Sequence, residues 1–376
     1  MMKVLGWHLM SFMKNTTMLS QQQIFFDLLR FSIGAAETVP DSLKEVDWAE
    51  QYAMAKKQAL VGVLFHGIKR LPKGMGPDED LLMRWMGTAR KIQQQNVRLF
   101  EDSAKVCRNF THEGFRNCVL KGQGHALLYP DPYMRTPGDI DIYLAGGRRR
   151  IVTYVDRLCP RQVMRYHHVD FPIMSTPIEV HFTPSYMFYP LHNIRMQAWF
   201  RKVMDQQCSN RVALPDGRGE INTPTMSFNV IYILSHLYRH LFTEGIGLRQ
   251  LLDYYYIMLN KERGVDKDTL RRLGLSKYAG AVMYVLHEVF ALPEDKMIAP
   301  MDEKDGRFLL DEVMRGGNFG QFDDRLGSKE GEGKGHRFFR MTFRNLRFVT
   351  RYPTEALSEP LFRTWFWAWK KRHGYK

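Results

Sequence analysis

Cysteine is scarce in this chain, and long apolar runs are missing from it. The 376 residues include four cysteines, Cys107, Cys118, Cys159 and Cys208, and no two of them form a C-x-x-C pair. A disulfide scaffold and a zinc ribbon are therefore disfavoured, and we expect reduced thiols in a cytoplasmic protein. No apolar run approaches the roughly 18 residues that a membrane-spanning helix needs. The sequence accordingly predicts no transmembrane segment.

Composition places the chain among globular proteins with an excess of positive charge. Apolar residues make up 44% and charged residues 25%, as in a domain with a hydrophobic core. The formal net charge of +14 favours anionic partners such as nucleotides, nucleic acid or an acidic membrane surface. Charge alone does not choose among these partners.

One stretch, 118–144, combines a glycine turn with two carboxylates at strand spacing. A short apolar run stops at Lys121-Gly122-Gln123-Gly124, and Asp139-Ile140-Asp141 later alternates acidic with apolar residues. Successive side chains of a strand point to opposite faces, so both aspartates are expected on one face. Neighbouring carboxylates repel each other, and a divalent cation relieves that conflict. Glycines let the backbone approach a phosphate closely, so the stretch predicts a metal and nucleotide-triphosphate site. Solvated aspartates on an edge strand are the alternative for D-x-D alone.

A third carboxylate follows on a later predicted strand. In the segment Ile178-Glu179-Val180-His181-Phe182, apolar residues alternate with Glu179 and His181. If this strand lies beside the first, Glu179 completes an acidic triad with Asp139 and Asp141. These three residues are therefore the predicted catalytic residues and the predicted ligands of Mg²⁺ or Mn²⁺.

The combination resembles the polymerase-β-like nucleotidyltransferase superfamily, and more closely the bacterial family called uncharacterised nucleotidyltransferases. The resemblance covers roughly residues 26–369 and is carried by these residues: Leu120-Lys121-Gly122, Leu128-Tyr129, Asp131-Pro132, Arg135, Asp139-Ile140-Asp141, His168, Glu179-Val180-His181, His236, His240, Arg249 and Asp253. Many active superfamily members carry Gly-Ser at the turn, whereas Gln123 follows Gly122 here. Phosphate handling by the turn is therefore less well supported than metal binding.

The resemblance implies transfer of a nucleoside monophosphate from a nucleoside triphosphate to an acceptor hydroxyl, with release of pyrophosphate. The predicted nucleotide-binding residues are Lys121, Gly122, Gln123 and Arg135. The residues predicted to line the substrate are His168, His181, His236, His240, Arg249 and Asp253. A small molecule, tRNA and protein all remain open as the acceptor.

The histidine pair and the Arg–Asp pair in this set each have a plainer interpretation. His236 and His240 share one face of a predicted helix, but Leu237 stands where H-E-x-x-H zinc proteases have their glutamate. Zinc ligation is therefore disfavoured, and a buried hydrogen-bonded pair is the alternative to substrate contact. Arg249 and Asp253 are four residues apart and able to pair, as a structural ion pair or beside substrate.

The predicted fold class is α+β, with a small mixed β-sheet nucleotidyltransferase core between N-terminal and C-terminal helical regions. Periodicity predicts one long helix over 78–111, a helix over 147–158 and strands over 163–172 and 178–182. The predicted division is 1–20 as a disordered or misassigned start, 21–116 as an N-terminal helical region, 117–222 as the catalytic core, 223–322 as a helical domain, 323–337 as a flexible loop and 338–376 as a basic-aromatic C-terminal helical region.

The basic-aromatic C-terminal region leaves the partner open. Its interleaved cations and aromatics, among them Arg340, Trp365, Trp367 and Lys371, suit nucleic acid or a membrane interface. An amphipathic helix packed on the body is the plainer interpretation. The rival to an enzyme is a non-catalytic module that binds nucleotide or nucleic acid on an inactive nucleotidyltransferase fold.

Overall fold

A computed structural model describes residues 21–262, 266–326 and 332–375. The start predicted over 1–20 lies outside the described residues, as does part of the loop predicted over 323–337. The helices are α1 (21–32), α2 (Trp48–Lys57), α3 (Val61–Ile68), α4 (Glu79–His112), α5 (Gln123–Ala126), α6 (Gly147–Leu158), α7 (Pro190–Gln207), α8 (Met226–Thr243), α9 (Leu248–Asn260), α10 (Lys267–Arg272), α11 (Ser276–Phe290), α12 (Glu303–Gly316), α13 (Lys334–Leu346) and α14 (Pro353–Arg372). The strands are β1 (Asn117–Val119), β2 (Ile140–Leu144), β3 (His168–Asp170), β4 (Ile178–His181), β5 (Arg211–Ala213) and β6 (Glu220–Asn222).

The long helix α4 joins the N-terminal helices to the sheet. It begins where the Asp78 carboxylate accepts a hydrogen bond from the Leu81 amide at 2.9 Å, a capping interaction that satisfies a free donor. Trp85, near its start, is buried and donates its indole N–H to the Val61 carbonyl at 2.9 Å. Phe100 and Phe110, further along, belong to the core beneath the sheet. The single long helix predicted over 78–111 is confirmed.

Four strands form a mixed sheet in the order β1-β2-β4-β3. β2 pairs with β1 antiparallel and with β4 parallel, and β3 pairs with β4 antiparallel. Ile140, Ile142 and Val180 are fully buried in one core with side chains of α4 and α6. Strand alternation therefore turns the acidic positions of β2 and β4 to the opposite face. β5 and β6 form a separate two-stranded hairpin.

α8 and α9 cover that opposite face, and α11 packs against α9. α8, α9 and α11 carry runs of apolar and aromatic side chains that are buried on most sides, as expected of helices inside a core. α13 is fastened to this body by Arg344, whose guanidinium donates to the Leu241 carbonyl at 2.7 Å. α14 is fastened by Glu355, which accepts the Phe188 and Tyr189 amides at 2.7 and 3.1 Å.

The α+β class, with a small mixed sheet and helical regions at both ends, is confirmed. The helix predicted over 147–158 is also confirmed. The single strand predicted over 163–172 is wrong, because the chain turns back on itself there. The Arg165 amide donates to the His168 carbonyl at 2.9 Å, and Met164 bridges Val169. No described helix is long and apolar enough to cross a membrane. The division into domains stays a prediction.

Candidate active site

The register of β2 against β4 brings the predicted acids together. In this parallel pair Asp141 lies opposite Glu179, so their side chains leave the sheet on one face. Asp139 directly precedes β2, and its side chain lines the same cleft as that of Asp141. The sheet forms one wall of this cleft, and Ile233 of α8 lies in the other.

One carboxylate oxygen at the centre of the cleft has two nitrogen partners. Asp141 Oδ1 lies 2.9 Å from Lys121 Nζ and 2.9 Å from His181 Nε2. Burial by itself would raise the pKa of Asp141, but Lys121 and His181 overcome that effect and lower it. Burial likewise works to lower the pKa of His181, yet its contacts with Asp141 and Glu179 leave it raised. Lys121 and His181 are therefore joined in one network through the Asp141 carboxylate.

The pKa of Asp139 is shifted in the opposite direction from that of Asp141. Repulsion from Asp141, followed by burial, raises the pKa of Asp139 to about 7. Lys121 opposes this rise without cancelling it. Two carboxylates with pKa values pushed apart are typical of a functional site, and they show that the anionic charge here exceeds what Lys121 neutralises.

Glu179 faces two histidines at the outer side of the network. Its Oε2 lies 3.1 Å from His168 Nδ1 and 3.5 Å from His181 Nε2. His168 Nε2 is in turn 3.7 Å from Asp170 Oδ1. Burial, and then the neighbouring His181, lower the pKa of His168 to about 2, so this imidazole is neutral and able to ligate a metal.

Three overlapping groups in the described part of the chain could hold a metal ion, each with ligand atoms within 4.8 Å of one another. They are Asp141-Glu179-His181, His168-Asp170-Glu179 and His167-His168-His181. Asp139 belongs to none of these groups. Of the three predicted ligands, Asp141 and Glu179 therefore share a group, and Asp139 lines the cleft with Asp141. Carboxylate oxygens suit Mg²⁺, while the imidazoles extend the choice to Mn²⁺ and other transition metals.

The glycine turn directly follows β1 and forms another wall of the cleft. Gly122 has φ +60° and ψ −105°, a conformation that only glycine adopts without strain. Gln123 is fully buried, and its Oε1 lies 3.4 Å from Ser103 Oγ on α4. The side chain that follows Gly122 is therefore used in packing against α4.

Arg135 and Asp253 form a buried two-pronged ion pair. Arg135 Nε and Nη2 donate to Asp253 Oδ1 and Oδ2 at 2.7 and 2.8 Å, and the Tyr129 hydroxyl donates to Oδ1 at 2.7 Å. Arg249 is not the partner of Asp253 that its spacing suggested. It donates to the Thr136 carbonyl at 3.2 Å and to Asn318 Oδ1 at 3.2 Å. The Arg135 pair ties α9 to the loop before β2.

His236 and His240 are bridged by the arginine between them in the sequence. Arg239 Nη2 lies 3.3 Å from His236 Nδ1 and 2.9 Å from His240 Nε2. Lys121 Nζ lies 3.4 Å from His236 Nε2, and Glu244 Oε2 lies 2.8 Å from His240 Nδ1. The pair is therefore a buried hydrogen-bonded pair, and His236 borders the cleft.

The cleft that these side chains enclose is small. Its volume is about 60 Å³, on the order of two water molecules. A nucleoside triphosphate is far larger than this volume. A ligand of that size would extend out of the cleft on the side where Gly138 is exposed.

A sequence model of the family described as uncharacterised nucleotidyltransferase matches residues 44–291, more than half of the chain. The protein belongs to this family. Comparison with curated proteins and with solved structures gave no match.

All of the predicted site residues lie inside the range matched by the uncharacterised nucleotidyltransferase family. Sequence reasoning missed Tyr129, Asp170, Arg239 and Glu244 as members of the network. Asp170 had a visible signal, since it follows His168 by two residues and so shares its strand face. Arg239 stands between the two singled-out histidines, but nothing in the sequence indicated that one guanidinium contacts both.

Proposed function

We propose that this member of the uncharacterised nucleotidyltransferase family performs metal-dependent nucleotidyl transfer of the polymerase-β-like kind. A nucleoside monophosphate would pass from a nucleoside triphosphate to an acceptor hydroxyl. The pairing of Asp141 with Glu179 across β2 and β4 carries this proposal, because it sets two carboxylates side by side on the cleft face, next to Asp139. A strand with merely solvated aspartates would not also bury Asp141 beside Lys121 and His181.

The donor set fits a hard divalent cation. Asp139, Asp141 and Glu179 would hold Mg²⁺ or Mn²⁺, which supplies charge neutralisation for the triphosphate and acidifies the acceptor hydroxyl. The raised pKa of Asp139 supports this fit, because it reflects repulsion from Asp141 that no protein cation fully relieves. The imidazoles of His168 and His181 beside Glu179 are the reason for including Mn²⁺.

The side chains of the cleft have separate tasks in this reaction. A bond forms between the acceptor oxygen and the α-phosphorus, while the bond from that phosphorus to the departing pyrophosphate breaks. Glu179, the most accessible of the paired acids, accepts the proton of the acceptor hydroxyl. Lys121 supplies positive charge to the phosphates. Arg135 was predicted to contact the triphosphate, but its guanidinium is committed to Asp253, so we assign it a positioning role.

A second candidate is the non-catalytic binding module. The buried Gln123, in place of a phosphate-binding hydroxyl, and the small volume of the cleft both favour it. The acidic set argues for catalysis, because a module that only binds anions gains nothing from clustered carboxylates.

Label transfer tests the proposal. Purified protein, radiolabelled nucleoside triphosphates, Mg²⁺ or Mn²⁺ and a cell extract should yield a labelled acceptor. The Asp139→Ala/Asp141→Ala double variant should lose transfer yet remain folded. Asp139→Ala alone should have equal or higher thermal stability without metal, because repulsion from Asp141 is removed, whereas loss of Asp141 should lower stability by leaving Lys121 and His181 without their acceptor. Asp268→Asn, an exposed aspartate of α10, is the control and should retain transfer.

Two outcomes would reject nucleotidyl transfer at these residues. Transfer retained by the double variant would mean that the chemistry lies elsewhere. Thermal stabilisation by an oligonucleotide alone, with none from metal plus nucleoside triphosphate, would favour the binding module.

A further inference from the structure

Two helices at the C-terminal end of the chain expose large apolar side chains in stripes. The stripe residues are Phe339, Phe343 and Leu346 on α13 and Leu357, Leu361 and Trp365 on α14, each between 51% and 73% exposed. Spacings of three and four residues place each set on one face of its helix. Isolated exposed leucines are common, but three large apolar side chains along one face of each of two consecutive helices are not.

Apart from Trp365, whose ring meets the edge of Tyr166 with centroids 6.2 Å apart, the stripe residues lie away from the contacts that hold α13 and α14 to the body. α14 packs through Phe362, whose ring stacks on Tyr186 with centroids 5.0 Å apart, and through the buried Glu355. α13 packs through the buried Arg344 and Asn345. On each helix the exposed residues lie at other angular positions than these anchors. The stripe residues are therefore not on the faces through which α13 and α14 are anchored to the body.

In the described residues 332–375, the negatively charged side chains are buried and the exposed charged side chains are positive. Its three carboxylates, Glu332, Glu355 and Glu359, have side chains only 3%, 1% and 2% exposed. Arg340 pairs with Glu332 at 2.6 Å, and Arg363 with Glu359 at 2.9 Å.

The exposed charges of α13 and α14 are cationic. Arg337, Lys371 and Arg372 are exposed, and no exposed carboxylate accompanies them among described residues 332–375. Lys371 and Arg372 follow Leu357 by about four helical turns and so lie on the face of its stripe. The outer surface of the two helices thus presents apolar and cationic groups together.

We propose that α13 and α14 dock this protein onto the surface of an anionic lipid bilayer. Phenylalanine, tryptophan and leucine side chains enter the region between headgroups and acyl chains, while lysine and arginine remain at the anionic headgroups. The helices lie on the membrane, because no described helix is apolar and long enough to span it.

The same observations disfavour two other occupants of this surface. A second copy of the chain would bring like charges against each other. Single-stranded nucleic acid binds by stacking on aromatic rings, and Leu346, Leu357 and Leu361 offer no ring for that purpose. The surface lies beyond the family-matched range of 44–291, so membrane docking does not depend on the proposed nucleotidyl transfer.

Vesicle sedimentation with the full-length protein tests this proposal. We expect binding to vesicles of phosphatidylcholine mixed with phosphatidylglycerol, weakened by salt, and little binding to phosphatidylcholine alone. Phe343→Asp/Leu361→Asp should weaken binding at least about tenfold, since each apolar side chain is replaced by an anion. Lys371→Gln/Arg372→Gln should weaken it by about fivefold for each charge removed. Met83→Asp, at an exposed methionine of α4, is the matched control and should bind as the unmodified protein does.

Several results would overturn membrane docking. One is equal sedimentation with neutral and anionic vesicles, or none with either. Another is unchanged binding by both variants. A third is a protein that does not bind vesicles but binds an oligonucleotide, or forms dimers detected by light scattering. If the Phe343→Asp/Leu361→Asp variant loses that property, the surface belongs to nucleic acid or to a second copy instead. Circular dichroism shows whether each variant is folded. If Phe343→Asp/Leu361→Asp does not fold, vesicle binding by the Lys371→Gln/Arg372→Gln variant tests the proposal.

Discussion

The buried pair of Arg135 and Asp253 yields the sharpest stability prediction. Both side chains are nearly inaccessible, at 5% and 8% exposed, and two N–H donors of one meet two oxygens of the other. Burial alone would raise the pKa of Asp253, but Arg135 lowers it to about 2. Against the ordinary value of 3.8, that shift corresponds to roughly 2 to 3 kcal/mol in favour of the charged form.

Removing one partner should cost more than this net figure. Asp253→Asn leaves the Arg135 guanidinium buried without its counter-ion, and such changes cost about 3 to 5 kcal/mol. Removing both charges with Arg135→Met/Asp253→Leu should cost less than either single change, because no charge is then left unpaired. Asp268→Asn, which breaks an exposed pair with Arg271, should change stability little.

Urea unfolding at pH 7, followed by circular dichroism, measures these differences among the unmodified protein and the variants Asp253→Asn, Arg135→Met, Arg135→Met/Asp253→Leu and Asp268→Asn. Nucleotide binding by the same variants separates the two interpretations of Arg135. If Asp253→Asn cost less than about 1 kcal/mol while Arg135→Met mainly weakened nucleotide binding, the buried-pair reasoning would be refuted. Arg135 would then contact the triphosphate, as the sequence predicted.

Further predictions concern acid stability, the glycine turn, the thiols and the cleft lysine. Burial lowers the pKa of His125 to about 4, so the unfolded state takes up a proton below pH 6.5 that the folded state refuses until pH 4. Unfolding free energy should therefore fall by up to about 1.4 kcal/mol per pH unit across that window, and His125→Gln should flatten the fall measured by urea titration. Gly122→Ala should destabilise by about 1–3 kcal/mol because its φ is +60°, whereas Gly138→Ala, with open space around its Cβ, should not. Only the partly exposed Cys159 should react quickly with a thiol reagent in the native protein, since Cys107, Cys118 and Cys208 are buried and their pKa values are raised. Lys121→Met should strengthen the thermal stabilisation by Mg²⁺ alone, because the ammonium no longer competes at Asp141, and weaken the further stabilisation by nucleoside triphosphate.

The parts of the site that depend on local alternation were predictable from sequence. The order of acidic and apolar residues in 139–142 and 178–182 predicted one buried and one acidic face, and β2 and β4 have that arrangement. The α+β class followed from the same alternation, together with the helical periodicity on either side.

The contacts between distant parts of the chain were not predictable. Arg135 meets Asp253 across 118 positions, and Lys121 meets His236 across 115. No local pattern encodes which of several cations will reach a given carboxylate after folding. The four-residue spacing favoured Arg249 as the partner of Asp253. Tertiary packing, however, can bring a different cation to the same carboxylate. Arg135 wins this competition because its guanidinium donates two hydrogen bonds to Asp253.

The anchoring of α13 and α14 also determines how the two proposals can be separated. Deleting residues 334–372 would remove the partners of acids buried in the body: Arg347 lies 2.5 Å from Glu312, Arg344 lies 3.9 Å from Asp323 and Arg351 lies 3.2 Å from Asp305. A truncated chain would therefore lose stability through unpaired buried charges, and its failure to bind vesicles or nucleotide would be uninformative. Exposed point changes such as Leu361→Asp leave those pairs in place. Because the cleft residues contribute nothing to the stripes, such variants should keep the full thermal stabilisation by metal and nucleoside triphosphate. Their binding to anionic vesicles should be weakened.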